Sequence, residues 1–243
     1  MHFFKKDAYR GARLDPLATA PKIGSRLLSG LPRAISSKLL AGERTLKLRE
    51  GKTLFERGDT GDGCYWLRHG VLAVSVASAT AEQRILALLG PGAIVGELAM
   101  IDGLPRSATI QAMRDCELTF VSRAAFSEIL RQHPELYVDI VTTLAARLRQ
   151  SDEELAASSF LTVRARVARA LLQFAHLLGE EAGQGQILIR HRITQNDLAA
   201  MAGVARESVS RTWREWHRQK IVEGSFRTGY VVHKVSLERA AAE

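Results

Sequence analysis

The spacing of glycine in the first half of the chain limits the fold more than any other feature. Between Arg44 and Val121, glycines at 51, 58, 61, 63, 70, 90, 92, 96 and 103 cut the sequence into short runs. Runs of about four to eight residues between turn signals are strand-length, too short for helices of ten or more, and regular turns of this kind close into a barrel or sandwich. Cys64 to Leu67 and Val71 to Val76 are strand candidates around Gly70, with Arg84 to Leu89 following. The expected result is a compact jelly-roll.

After Arg123 the apolar period becomes helical, and one long pattern runs from about Glu135 to Ser159. Val141, Leu148 and Leu155 recur every seventh residue, and Leu144, Ser151 and Ser158 fill the second seam position of the same heptad. So narrow a stripe suits a helix that pairs with its copy in a second subunit. Phe160, Leu161 and Thr162 break the pattern, and Thr162 is a natural N-cap for a helix over Val163 to Leu178. That break is the expected hinge.

The anticipated division is therefore a tail with a short helix over 1–32, a jelly-roll over 33–134, a dimerisation helix over 135–160 and a further domain over 161–243. The fold class is α+β.

The 243-residue chain carries a formal charge of +8, and its last 83 residues hold 13 Lys or Arg against 8 Asp or Glu. A basic C-terminal third suits a polyanionic partner without saying which one. The longest apolar stretch, Ile85 to Ile101, is interrupted by Gly90, Pro91, Gly92, Gly96 and Glu97, so no membrane span or membrane partner is expected. No apolar run of signal-peptide length stands at the N-terminus, and a cytoplasmic protein is expected. The two cysteines, Cys64 and Cys116, are too few for a four-thiolate iron-sulfur cluster or a Cys-only zinc site, and no metal is expected.

In the basic third, Thr194 followed by Asp197 approximates a capping box and marks a helix start. From Gln195 onward, Leu198, Ala202, Val204 and Val209 fall where a helix-turn-helix needs apolar contacts, with Ala199 as the small residue and Gly203 as the turn. The second helix presents Arg206, Glu207, Ser208, Ser210, Arg211 and Arg214, while Val209 and Trp213 point inward. Arg can donate a fork to guanine O6 and N7, and Glu can accept from cytosine N4. Thr194, Arg214, Arg218 and Lys220 extend this surface toward phosphates. Ile221 to Gly224 and Tyr230 to Val235 read as the hairpin wing of a winged helix.

Between Pro91 and Ala108 stand Gly96-Glu97-Leu98-Ala99 and then Pro105-Arg106-Ser107-Ala108. This segment resembles the phosphate-binding cassette of cyclic-nucleotide-binding domains, and the helix from Arg206 resembles the recognition helix of the catabolite activator protein (cyclic AMP receptor protein) family of bacterial transcription regulators. The resemblance runs from about Arg33 onward with domains in the same order. It implies that Arg106 and Ser107 hold a cyclic phosphate, that Glu97 accepts from the ribose 2′-hydroxyl beside the Gly96 N–H, and that Val74, Leu86, Val95, Leu98 and Ala108 form an apolar floor.

It also places Arg147 with the pocket, and Ser151 and Asp152 where the family contacts the base. An ionised Asp152 only accepts hydrogen bonds, and guanine's N1–H and N2–H₂ would match its two oxygens, so cyclic GMP is expected to bind as well as cyclic AMP. Two departures stand out: Ala205 replaces a hydroxyl at the start of the recognition helix, and Thr212 replaces an apolar residue on its inner face.

The cysteine count leaves no iron-sulfur cluster expected, and with Glu97, Arg106 and Ser107 in place no haem is expected as cofactor; the allosteric ligand would be cyclic AMP or cyclic GMP. The implied activity is non-enzymatic: a homodimer binding palindromic, TGTGA-like double-stranded DNA, with RNA polymerase as a further partner. Two alternatives are a nucleotide-independent regulator of this fold and a regulatory subunit that controls a partner enzyme.

Overall fold

A computed structural model describes residues 44–79, 82–225 and 229–243; the tail and short helix expected over 1–32 lie outside them. Two four-stranded antiparallel sheets form the first domain. One has the order β1 (Thr45–Leu48), β8 (Cys116–Ser122), β3 (Gly63–His69), β6 (Ile94–Val95), and the other β2 (Thr53–Phe55), β7 (Thr109–Ala112), β4 (Leu72–Ala77), β5 (Gln83–Leu89). Their inner faces bury Leu67, Leu72, Val95, Ile110 and Leu118 between them, the inside-outside alternation of a jelly-roll. The short helix α1 (Glu97–Asp102) is inserted between β6 and β7.

Helix α2 (Arg123–Gln132) begins where the Ser122 hydroxyl accepts from the Ala125 N–H. It packs Phe126 and Leu130 with Cys64, Met100 and Val121 of the roll and with Leu136 and Ile140 at the start of α3 (Leu136–Phe160). Along α3, Val141, Leu148 and Leu155 are 63%, 65% and 68% exposed, which leaves one row of the expected seam open. The other row is partly engaged within the chain. Leu144 packs against the roll's own core, and Ser151 and Ser158 line a cavity described below. The apolar ridge available to a second subunit is therefore a single row, continued toward the N-terminus by exposed Tyr137 and Val138.

The helix stops at Phe160, Leu161 is extended, and the Thr162 hydroxyl accepts from the Ala165 N–H to start α4 (Val163–Leu178). α5 (Gln195–Ala202) opens with a complete capping box: the Thr194 hydroxyl accepts from the Asp197 N–H and the Asp197 carboxylate accepts from the Thr194 N–H. Thr194→Ala removes the cap, and chemical denaturation should show a loss of about 1 kcal/mol. The turn to α6 (Arg206–Arg218) is made by Gly203 at φ 62, where a side chain would also collide with the Arg84 guanidinium.

The wing is larger than expected and ends earlier. Strands β11 (Val222–Ser225) and β12 (Gly229–His233) join β9 (Glu180–Gly183) and β10 (Gln186–Ile189) in one sheet ordered β11-β12-β10-β9. Lys234 and Val235, expected in the wing strand, belong to helix α7 (Lys234–Ala241) instead. Leu237, Ala240 and Ala241 share one helical face, and burying them in the core of this domain selects the helix.

That core also takes in Val71, Ala73, Ile85 and Leu88 from the roll. The C-terminal domain is thus seated on the outer face of β4 and β5. Arg84 of β5 donates to the Ala200 carbonyl at 3.4 Å, and Arg166 of α4 donates to the Ala202 and Gly203 carbonyls, so cations meet the negative end of the α5 dipole.

Candidate functional site

A cavity of about 420 Å³ opens between the roll and α3. It brings together nearly all the expected pocket residues: Val74, Leu86, Val95, Gly96, Glu97, Leu98, Arg106, Ser107, Ala108, Arg147 and Ser151. Arg106 is its buried cation. Only 4% of the residue is exposed; its guanidinium donates to the Gly96 carbonyl at 2.6 Å and the Gly63 carbonyl at 2.8 Å and lies 4.3 Å above the Phe55 ring. Its Nε is buried without a partner among the described residues. An unshared N–H on a buried cation, with no carboxylate on it, is a site for an anion. Gly96, at φ 83, is required here because a Cβ would strike the Arg106 guanidinium.

Glu97 is not free in this arrangement. Its carboxylate accepts from Arg147 of α3, which also donates to the Ile94 carbonyl at 3.1 Å. Arg147 therefore ties the long helix to the cassette, and a hydroxyl on Glu97 would share the carboxylate with it. Asp152 does not line the cavity of its own chain. One residue turns a helix by about 100°, and that carries Asp152 from the Ser151 side into solvent, where it is exposed.

The cavity also contains residues the sequence did not single out: Phe55, Arg84, Gln150 and Glu154. Gln150 and Glu154 carried a readable signal, since steps of three and four residues place them on one helical face with Arg147 and Ser151. Phe55 and Arg84 carried none. Burial pushes the Glu154 carboxyl above its ordinary range, against the pull of the Gln150 amide and of Arg84 and Arg169. Burial lowers the Arg84 guanidinium, and the like charge of Arg166 adds to that.

The second candidate surface is α6. Val209, Thr212, Trp213 and Trp216 are buried, while Arg206, Glu207, Arg211 and Arg214 are exposed along the opposite face and Ser208 and Ser210 are half-buried. Among the described residues no acid engages Arg206 or Arg211, whereas Glu215 behind them accepts from Arg164 of α4. Ala205 provides no side-chain cap, so the first N–H groups of α6 have no capping side chain on them. Thr194, half-buried, spends its hydroxyl on Asp197, to which it donates at 2.7 Å as well as accepting.

A jelly-roll with a buried-arginine cavity, a long helix and a winged helix-turn-helix with an exposed basic face are the architecture of a DNA-binding protein that carries a ligand-binding domain. Comparison with known proteins gives the family. Residues 45–133 match the cyclic nucleotide-binding domain and residues 165–237 the Crp-like helix-turn-helix domain. Over 190 residues the chain is 37% identical to the cyclic AMP receptor protein of Thermus thermophilus, covering 77% of this chain and 83% of that one.

Among solved structures, the Thermus thermophilus catabolite activator protein is 31% identical with a TM-score of 0.51, over 89% of this chain and 98% of that one. A c-di-GMP responsive regulator of Xanthomonas campestris shares the fold at 19% identity with a TM-score of 0.70, over 83% and 99%. The chain belongs to the cyclic AMP receptor protein family of transcription regulators.

Proposed function

We propose that the chain is a homodimeric regulator in which cyclic AMP or cyclic GMP occupies the cavity beside Arg106 and sets the affinity of the paired α6 helices for palindromic DNA. The observation that carries this reading is the buried Arg106, with an unpartnered Nε, in a cavity also lined by Ser107, Gly96 and Glu97. The phosphate goes to Arg106 and Ser107, and the ribose hydroxyl to Glu97. Ligand controls DNA binding only by binding one arrangement more tightly than the other. The seat of the C-terminal domain on β4 and β5, with the break at Leu161, supplies a second contact besides the hinge on which such a difference can act.

The exposed row Val141, Leu148 and Leu155 supports pairing through α3. The exposed face of α6 is assigned to a TGTGA-like half-site, with half-site centres about 10 to 10.5 base pairs apart. Arg206, Glu207, Ser208, Ser210 and Arg211 are assigned to the bases, and Thr194 and Arg214 to the backbone. The protein works in the cytoplasm and contacts RNA polymerase from its DNA site.

Titrating a palindromic duplex with and without each cyclic nucleotide, at several salt concentrations, tests this directly. A steep salt slope and a ligand-dependent affinity are expected. A salt-independent interaction would point to a protein-docking module, and a ligand effect below about tenfold, or 1.4 kcal/mol, to a nucleotide-independent regulator. Arg206→Ala or Glu207→Ala should each cost about 1 to 3 kcal/mol on the preferred site and relax discrimination at one base pair. Equal weakening on all sequences would make them positioning contacts.

A further inference from the structure

We infer that the cavity is built to read guanine, with Arg84 of β5 and Glu154 of α3 as the base-reading pair, so that the controlling ligand is a guanine cyclic nucleotide. This rests on the cyclic-nucleotide reading above. Both residues line the same cavity as Arg106, Ser107 and Glu97. Glu154 lies seven residues beyond Arg147 on α3, an offset of roughly 10 Å along the axis, comparable with the length of a purine nucleoside. Arg147 is held at the Glu97 carboxylate, which fixes the ribose end. The base then extends along α3 toward Gln150, Ser151 and Glu154.

Hydrogen-bond polarity decides which base fits. Guanine presents N1–H and N2–H₂ side by side, donors that match the two oxygens of an ionised carboxylate, and O6 and N7 side by side, acceptors that match the guanidinium fork. Adenine would set its N1 acceptor against the carboxylate and its N6–H₂ donor against the arginine. Both groups keep unused hydrogen-bonding capacity. Glu154 accepts one hydrogen bond, from the Gln150 amide at 3.1 Å, and keeps acceptor capacity. Among the described residues, Arg84 rests against Gly203 and donates to the Ala200 carbonyl at a long 3.4 Å, which leaves its other donors for a ligand. The same contact joins the base site to the helix-turn-helix: a guanine that draws Arg84 into the cavity takes it from Ala200 and from its place against Gly203.

Isothermal calorimetry of the full chain with 3′,5′-cyclic GMP and 3′,5′-cyclic AMP tests the pair. The wild type should bind cyclic GMP about tenfold or more tightly than cyclic AMP. Glu154→Gln replaces an acceptor pair by an amide whose C=O and N–H₂ fit adenine N6–H₂ and N1. Cyclic GMP should weaken by about 10- to 100-fold and cyclic AMP much less, so that the guanine preference is lost or reversed. Arg84→Ala should weaken cyclic GMP at least about tenfold more than cyclic AMP and so remove the guanine preference, whereas loss of a merely structural arginine would weaken both ligands equally. Equal losses for the two ligands in Glu154→Gln, or wild-type preference for cyclic AMP, would overturn the guanine assignment alone. Binding of neither nucleotide to the wild type would overturn the cyclic-nucleotide reading and this inference with it.

Discussion

Arg106→Ala is expected to lower cyclic-nucleotide affinity by about 3 to 5 kcal/mol, the cost of leaving one partner of a desolvated charge pair without the other. The side chain reaches the cavity from beneath. It is anchored by the Gly63 and Gly96 carbonyls and the Phe55 ring, with its Nε held in reserve. A phosphate placed there loses most of its water, and among the described residues no other cation lines that end of the cavity except Arg147, which Glu97 already holds. Calorimetry reads the loss directly.

Because the two carbonyls also lose their donors in Arg106→Ala, a lower melting temperature is expected as well. Arg106→Lys separates the effects: it keeps the charge but cannot donate the guanidinium fork, so an intermediate affinity is expected. Wild-type nucleotide affinity in Arg106→Ala would remove the phosphate from this site.

Leu148→Asp is expected to convert the proposed dimer to monomer while leaving each subunit folded. In the single chain Leu148 is 65% exposed, so its replacement removes little from the subunit's own core. In the proposed dimer the leucine would meet its own copy across a two-fold axis, and each apolar side chain removed from water at such a seam contributes about 1.5 to 3 kcal/mol. Two copies are lost at once, and two carboxylates are brought face to face. The subunit dissociation constant should rise by at least a thousandfold, about 4 kcal/mol, which sedimentation equilibrium can follow. Palindromic DNA should then bind no better than a single half-site. A dimer that survives Leu148→Asp at micromolar concentration would place the subunit contact elsewhere.

Features that are contiguous in sequence were legible without the structure. The glycine-punctuated runs of the roll, the Val141–Leu148–Leu155 row on α3, the Thr162 cap and the Thr194–Asp197 capping box each depend on local spacing along the chain, whereas the second expected row, Leu144–Ser151–Ser158, proved to be engaged within the chain. The same holds for the cassette, where Gly96, Glu97, Arg106 and Ser107 lie within twelve residues, and for α6, whose buried and exposed faces follow from helical spacing alone. Periodicity was less informative where two patterns overlapped: Lys234 and Val235 extend an apolar alternation that starts in β12, yet belong to α7 through contacts with α4 and its neighbours.

By itself the amino-acid sequence marked the strand-rich first half, the long helix and the helix-turn-helix in their order, the two local motifs and the break at Phe160 to Thr162, because these are set by short-range spacing and backbone preference; it did not mark β9, β10 or α7. Only the tertiary structure decided which residues share the cavity. Arg84 and Glu154 are 70 positions apart in the chain, Glu97 and Arg147 are 50 apart, and Phe55 comes to lie over Arg106. It also decided that Asp152 faces solvent while Glu154 faces the site, and that the C-terminal core closes over Ile85 and Leu88 of the roll. Such pairings arise from packing whole elements against one another, and no local pattern encodes which partner a side chain meets across that packing.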